Sequence, residues 1–252
     1  MKIYKSDVYT TIALILLVVC FTFPAIAFYK VPQKIAAGQI DSIPSYVYPL
    51  WNLYQKGRYV SPYTPKGAEG DIEKKGEVGM MSFPVWYVAL EAPNYPKAAF
   101  PEGIPVWFHV DGFSGDIHEM NTINHYVGMY PLEDGAKIER ALGPFLMLGI
   151  SLLMILFICI RKKWSWIFML PSALFPLGFF AFYSGWMYWF GHNMQEWGAF
   201  KIKAFMPTAL GVGHVAHFTT KSFPSIGFWV LVIIAVLSVL AILARRNELK
   251  KQ

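Results

Sequence analysis

The sequence predicts an α-helical integral membrane protein: four transmembrane helices, with a small mixed, strand- and turn-rich exoplasmic domain between the first and second. Three observations carry that prediction. The 252-residue chain is 55% hydrophobic and only 15% charged, where a soluble protein carries about a quarter charged residues. Four runs of roughly bilayer-spanning length, about 20 residues, contain neither a charged side chain nor a histidine. Basic residues cluster beside these runs in a pattern that sets all of them in alternating directions.

The first run is Thr10–Phe28, "TTIALILLVVCFTFPAIAF", preceded by Lys2 and Lys5. A basic start followed by "AIA" at Ala25–Ala27 also resembles a cleavable signal peptide, and "LVVC" at Leu17–Cys20 a lipoprotein box. The length of the run and the Val before Cys20, where a small residue is wanted, favour an uncleaved anchor. The second run is Ala141–Ile160. Arg161, Lys162 and Lys163 then leave room only for a tight antiparallel turn into the third, which runs from Trp164 through Tyr183 to Phe190. Pro171 and Pro176 predict a kink there, and Ala181 and Gly185 form a small-xxx-small pair suited to close helix approach. Trp164, Trp166, Tyr183, Trp186, Tyr188 and Trp189 read as interfacial belts. The fourth run is Ile226–Ala244, followed by a tail, residues 245–252, with Arg245, Arg246, Lys250 and Lys251. Positive-inside asymmetry places all these basic clusters, and both termini, in the cytoplasm of a bacterial inner membrane. The net charge of +6 is then a property of the flanks, not a nucleic-acid surface.

Two segments face the other side. Residues 29–140 are rich in Pro, Gly and Tyr. "GEVGMMSFPVWYVAL" and "GIPVWFHVDGFSG" read as extended or strand segments from their aromatic and β-branched content. Lys66–Lys75 reads as a mobile loop, and "LEDGAKIERALGP" as a helical lead into the second span. Residues 191–225 are too short for a core of their own and should pack on the first segment or the membrane face. The chain's two cysteines, Cys20 and Cys159, lie at different depths, so no disulfide is expected.

All six histidines fall outside the spans. Two HxM pairs, His118 with Met120 and His192 with Met194, would each aim both side chains at one metal if the backbone were extended, and imidazole with thioether suits Cu(I). Met187 and Met206 flank the second pair. His214 and His217 would share a face if Ala209–Phe218 were helical. Three or four ligands must converge, and no single run supplies them. His109 reads as a satisfied buried histidine, and His125 as a loop residue bonding backbone. Ser82 and Ser114 show no evident base, and Asp111, Asp116 and Glu119 fit turn chemistry. No catalytic constellation is expected, and no cofactor beyond the copper alternative.

"NTINHYVGMYPLE" (Asn121–Glu133), together with "YWFGHNMQEWGAFKIKAFMP" (Tyr188–Pro207) and "HFTTKSFPSIG" (His217–Gly227), resembles the small four-span membrane proteins encoded beside the Sec-exported, clade II type of nitrous oxide reductase, the NosB group. The resemblance covers about a third of the chain and implies only a context. That context is an accessory protein that docks or helps mature a redox enzyme outside the cytoplasmic membrane, with nitrous oxide reductase as the partner. The candidate partner or structural site is Asn124, His125, Tyr126 and Met129 with Gly191, His192 and Asn193, provided the two segments meet in space. Tyr46, Tyr48, Trp51, Tyr54, Tyr59 and Tyr63 are further aromatic anchors. Two other readings stand beside it: a Cu(I)-handling protein using His118, Met120, His192 and Met194, and a quinol-contacting subunit of a membrane oxidoreductase around Trp186–His192.

Overall fold

The computed structural model describes residues 4–29, 82–199 and 202–251, with residues 31, 34, 38–47, 49, 50, 61 and 62 between them. The expected Lys66–Lys75 loop lies outside the described residues, as do Tyr48, Trp51, Tyr54, Tyr59 and Tyr63; Tyr46 is exposed.

Four helices are long and apolar enough to cross a membrane: α1 (Lys5–Ala27), α3 (Lys137–Cys159), α4 (Ser165–His192) and α5 (Ile226–Lys250). A shorter helix, α2 (Ile117–Val127), precedes α3. Five strands, β1 (Trp86–Glu91), β2 (Ile104–Phe108), β3 (Phe113–Gly115), β4 (Gly211–Val215) and β5 (Phe218–Pro224), complete the order. The four long helices suggest a multi-pass membrane protein. Their outward surface stays apolar, with Leu152, Leu177, Ile233 and Val236 all exposed. An apolar surface this extensive marks contact with something other than water.

The long helices α1 and α4 accommodate prolines. Pro24 has no N–H for the carbonyl one turn back, at Cys20. There α1 widens into a π turn, Val18–Thr22, and the Cys20 carbonyl instead accepts the Phe83 N–H at 3.0 Å. Pro171 stands where α4 changes from the 3-10 turn Ser165–Met169 to α-helix, and Pro176 lies inside the helix. Hydroxyls tie the helices pairwise in the dry core. Thr22 meets Ser151 at 3.0 Å between α1 and α3, and Ser172 meets Ser238 at 2.9 Å between α4 and α5. The Ala181–Gly185 pair does not serve this purpose: both residues face outward, and nothing lies within 4 Å of a Cβ built on Gly185.

One end of the bundle gathers the basic flanks. Arg245 is 2% exposed. It donates to Asp7, to Ser6 and to the last carbonyls of α3 at Phe157 and Ile160. Arg161 in the α3–α4 turn bridges Asp7 and Glu248, both at 2.9 Å. The start of α1, the turn and the end of α5 are thus locked together, and the chain's two ends share one pole.

The sheet occupies the opposite pole and is antiparallel throughout, in the order β3-β2-β1-β5-β4. The exoplasmic domain was expected from residues 29–140 alone. Instead, residues 211–224 supply two of the five strands, and β5 pairs with the central β1 from Trp86↔Pro224 to Glu91↔Thr219. The second connector solves its lack of a core by joining the first connector's sheet. His214 therefore lies on a strand and His217 in the hairpin turn beside Ala216, φ 52°, so the shared helical face expected for them does not exist. Alternation along β1 sends Trp86, Val88 and Leu90 into the core over the helix ends, while Tyr87 packs against Trp107 on the other face.

Trp86 is the keystone of that core, against Phe180, Tyr183 and Phe228. Ser222, 0% exposed, closes the polar accounts. Its Oγ lies 2.8 Å from Trp86 Nε1, 3.0 Å from the Tyr183 hydroxyl and 2.9 Å from the Ala209 carbonyl. A hydroxyl has one proton and two lone pairs. The carbonyl takes the proton, so Tyr183 and Trp86 both donate to Ser222. Tyr183, expected in an interfacial belt, is therefore a buried core residue.

Candidate functional site

The segment "NTINHYV" is helix, not loop. Ile117, Met120, Asn124 and Val127 recur at spacings of three and four and form the buried face of α2. Gly128 ends it in the left-handed region, φ 80°, and the Met129 N–H returns to the Asn124 carbonyl at 2.8 Å. Asn121 ties the helix to the next turn. Its amide donates to Glu133 at 2.6 Å and its oxygen accepts the Leu132 N–H at 2.9 Å.

The two segments do meet. The Gln195 N–H donates to the Gly128 carbonyl at 2.7 Å. A Cβ at Gly128 would approach the Gln195 carbonyl to 2.6 Å, so glycine is required both by φ and by this contact. Beyond the end of α4, the Phe205 N–H donates to the Gly191 carbonyl at 3.1 Å, and Gly191 leaves no room for a side chain against Phe205. Met129 and Phe190 belong to one apolar cluster with the inner face of the sheet. Tyr130 stacks on Trp189, and His125 on Trp197.

This arrangement divides the seven candidate residues. His125, Tyr126, His192 and Asn193 face outward. His125 lies flat against Trp197, and the His192 ring stacks at 3.8 Å on Tyr188 while its Nδ1 donates to the Tyr188 carbonyl. Asn193 donates to the Trp189 carbonyl. Tyr126, Tyr188 and Trp197 are each about half exposed. His125 thus has a ring partner rather than the loop-backbone bonds expected of it. Asn124 and Met129 turn inward, and Gly191 is buried between α4 and the segment beyond.

The inward residues border a cavity of about 80 Å³ between the sheet, α2 and the end of α4. Val88, Val106 and Phe108 form its sheet wall, and Met120, Met129 and Met187 line it from three different elements. Trp197, Met187 and Phe205 have roles here that sequence reasoning did not assign; the spacing of Ile117, Met120, Asn124 and Val127 is the signal that could have revealed the buried face.

The two HxM pairs do not have the extended geometry expected. On α2, residues two apart point to different faces, so His118 is exposed while Met120 is in the core. His192 ends α4 and Met194 follows the cap. Among the described residues no three His, Cys, Asp or Glu side chains converge as a metal site. His109 is satisfied on both ring nitrogens. Its Nδ1 lies 2.7 Å from the Ser82 carbonyl and its Nε2 2.9 Å from Ser114 Oγ. The carbonyl only accepts, so Nδ1 carries a proton, and in the neutral ring Nε2 accepts from Ser114. Ser114 therefore does have a base beside it, contrary to the sequence reading. The Glu119 carboxyl is held above the usual carboxylate range, first by burial and then by Asp116, with His118 opposing.

No family model, no curated protein and no solved structure matches this chain.

Proposed function

We propose that this chain is a membrane-anchored accessory protein whose outward face docks a redox enzyme on the exoplasmic side of the bacterial inner membrane, and that the enzyme is nitrous oxide reductase. The choice of enzyme rests on the resemblance of Asn121–Glu133, Tyr188–Pro207 and His217–Gly227 to the NosB group. The observation that carries docking is the outward cluster of half-exposed rings, Tyr126, Tyr188 and Trp197, with His125 and His192 stacked among them. Tyrosine and tryptophan are the side chains that most often anchor protein interfaces. Here they stand on a floor fixed by the Gly128–Gln195 backbone bond. The four apolar runs carry no Asp, Glu, Lys, Arg or His, which favours anchoring over transport through the bundle. Both termini are cytoplasmic in this reading, because the basic flanks share one pole.

The test is association of the full chain, in detergent or nanodiscs, with purified nitrous oxide reductase on a sensor surface. Micromolar or tighter binding that falls about 100-fold in a Tyr126→Ala, Trp197→Ala double variant supports the reading. No association of the natural chain, or association indifferent to both substitutions, refutes it.

A further inference from the structure

Asn124 is 5% exposed, lines the cavity between the sheet and α2, and its carboxamide makes no hydrogen bond to any described residue. The Asn124 carbonyl of the main chain is used by Met129; the side chain is what remains. The carboxamide keeps a little accessible surface and lines the cavity without a described protein partner, so a group entering the cavity meets an amide free to hydrogen-bond. Among the described residues, apart from Asn124 itself and Thr220, which is paired on both sides in β5, the lining consists of Val, Leu, Ile, Met, Phe and Pro side chains. A water resting against this carboxamide would find few polar partners among the described lining side chains.

We propose that this cavity is a binding site for a small, uncharged lipophilic molecule carrying one carbonyl or hydroxyl group, which pairs with the Asn124 carboxamide. Each term follows from the walls. Among the described residues no lining side chain is charged, so they would desolvate a charged ligand without compensation. The carboxamide offers both a donor and an acceptor, so it pairs equally with a ketone oxygen or an alcohol. The volume, about 80 Å³, is near half that of an engineered cavity of roughly 150 Å³ that takes up benzene. The enclosed part of the ligand is thus a handful of heavy atoms. It is either a whole water-borne molecule or the polar end of a longer one drawn from the bilayer. Met120, Met129 and Met187, unbranched and polarisable, allow the walls to adapt to its outline. The site is independent of the docking reading, since Asn124 points away from the outward rings.

The experiment uses full-length protein in detergent with ¹³C-methyl methionine, assigned by single Met→Leu variants. It is titrated with 2-butanone, with 2-butanol, and with 2-methyl-1-butene, which keeps the shape of the ketone without its oxygen. Saturable shifts of the Met120, Met129 and Met187 methyls are expected with at least one oxygenated probe, at about tenfold or higher affinity than the alkene. Asn124→Leu should erase that preference while leaving the thermal midpoint equal or higher, because it removes an unpaired amide. Equal binding of all three probes, no shift with any, or an unchanged preference in Asn124→Leu overturns the proposal. Solvent extraction of purified protein distinguishes the sources. A near-stoichiometric lipophile present in the natural chain and absent from Asn124→Leu points to the bilayer; none, with 2-butanone or 2-butanol still bound, points to a water-borne ligand. Asn124→Leu leaves Tyr126 and Trp197 in place, so loss of probe binding with intact enzyme docking separates this site from the docking face.

Discussion

Removing the Ser222 hydroxyl should be among the most damaging small substitutions in the chain. In Ser222→Ala the indole N–H of Trp86 and the hydroxyl of Tyr183 lose their acceptor, and both are almost completely buried. The Ala209 carbonyl loses its donor. Each buried donor left unpaired costs about 1–3 kcal/mol, so the pair costs roughly 2–6 kcal/mol before relaxation. For a chain of this length that corresponds to a lowered thermal midpoint of about 2–4 °C per kcal/mol, read by intrinsic tryptophan fluorescence in detergent. The origin of the loss is tested by a second substitution. Tyr183→Phe alone removes a donor that is well used, and should destabilise by about 1 kcal/mol. In the Ser222→Ala background the same change removes an orphan, and should stabilise. A cycle in which Tyr183→Phe changes sign between the two backgrounds is the expected outcome. A Ser222→Ala midpoint within a degree of the natural chain, or a Tyr183→Phe effect of the same sign in both backgrounds, would refute the donor assignment.

Gly128→Ala forces a left-handed φ on an L side chain and drives its Cβ at the Gln195 carbonyl; a loss of about 1–3 kcal/mol, with faster amide exchange through Gly198, is expected, and no change in either would remove the bridge from the account. Glu119 is held above its unfolded pKa by burial. The folded state therefore binds more protons than the unfolded between the two values, and stability falls as pH rises through that window. Denaturant midpoints should drop from pH 4 to pH 7 less steeply in Glu119→Gln than in the natural chain; parallel curves would count against it. For sidedness, Tyr126→Cys in a Cys159→Ser background should react with a membrane-impermeant maleimide in intact spheroplasts, and Arg246→Cys only after permeabilisation. The reverse pattern would invert the topology.

The four long apolar helices were legible because runs of about 20 apolar residues without charge are a property of composition. The described helices extend past the apolar runs: α1 starts at Lys5 and α5 reaches Lys250. Their charged ends are held by partners distant in sequence, Arg161 with Asp7 and Glu248, which no local window reveals. The strands at Trp86–Glu91 and Ile104–Phe108 were legible from aromatic and β-branched content, but not the pairing of β1 with β5, more than a hundred residues away. "NTINHYV" was misread because Asn, Thr and His are indifferent helix formers. Burial of Ile117, Met120, Asn124 and Val127 against the sheet overrode that local preference. The shared side expected for His118 and Met120 went with it, since a period of two means one face on a strand and opposite faces on a helix.

The sheet is joined to the helices by main-chain bonds rather than by side-chain contact alone. The strand leading into β1 gives the Phe83 N–H to the Cys20 carbonyl of α1, while its Pro84 carbonyl accepts the Gly227 N–H at the start of α5. Gly227 has no room for a Cβ against Pro84, and Gly143 of α3 is pressed in the same way against the Val110 carbonyl. Three of the four long helices are thus gripped by the backbone segments that flank β1 and β2, and the fourth, α4, is gripped at Gly191 by Phe205. The sheet and its flanking segments are thus held at several points along the bundle and have no single tether about which to swing. The outward rings of α2 and of the segment after α4 therefore keep a fixed attitude to the axis of the four-helix bundle.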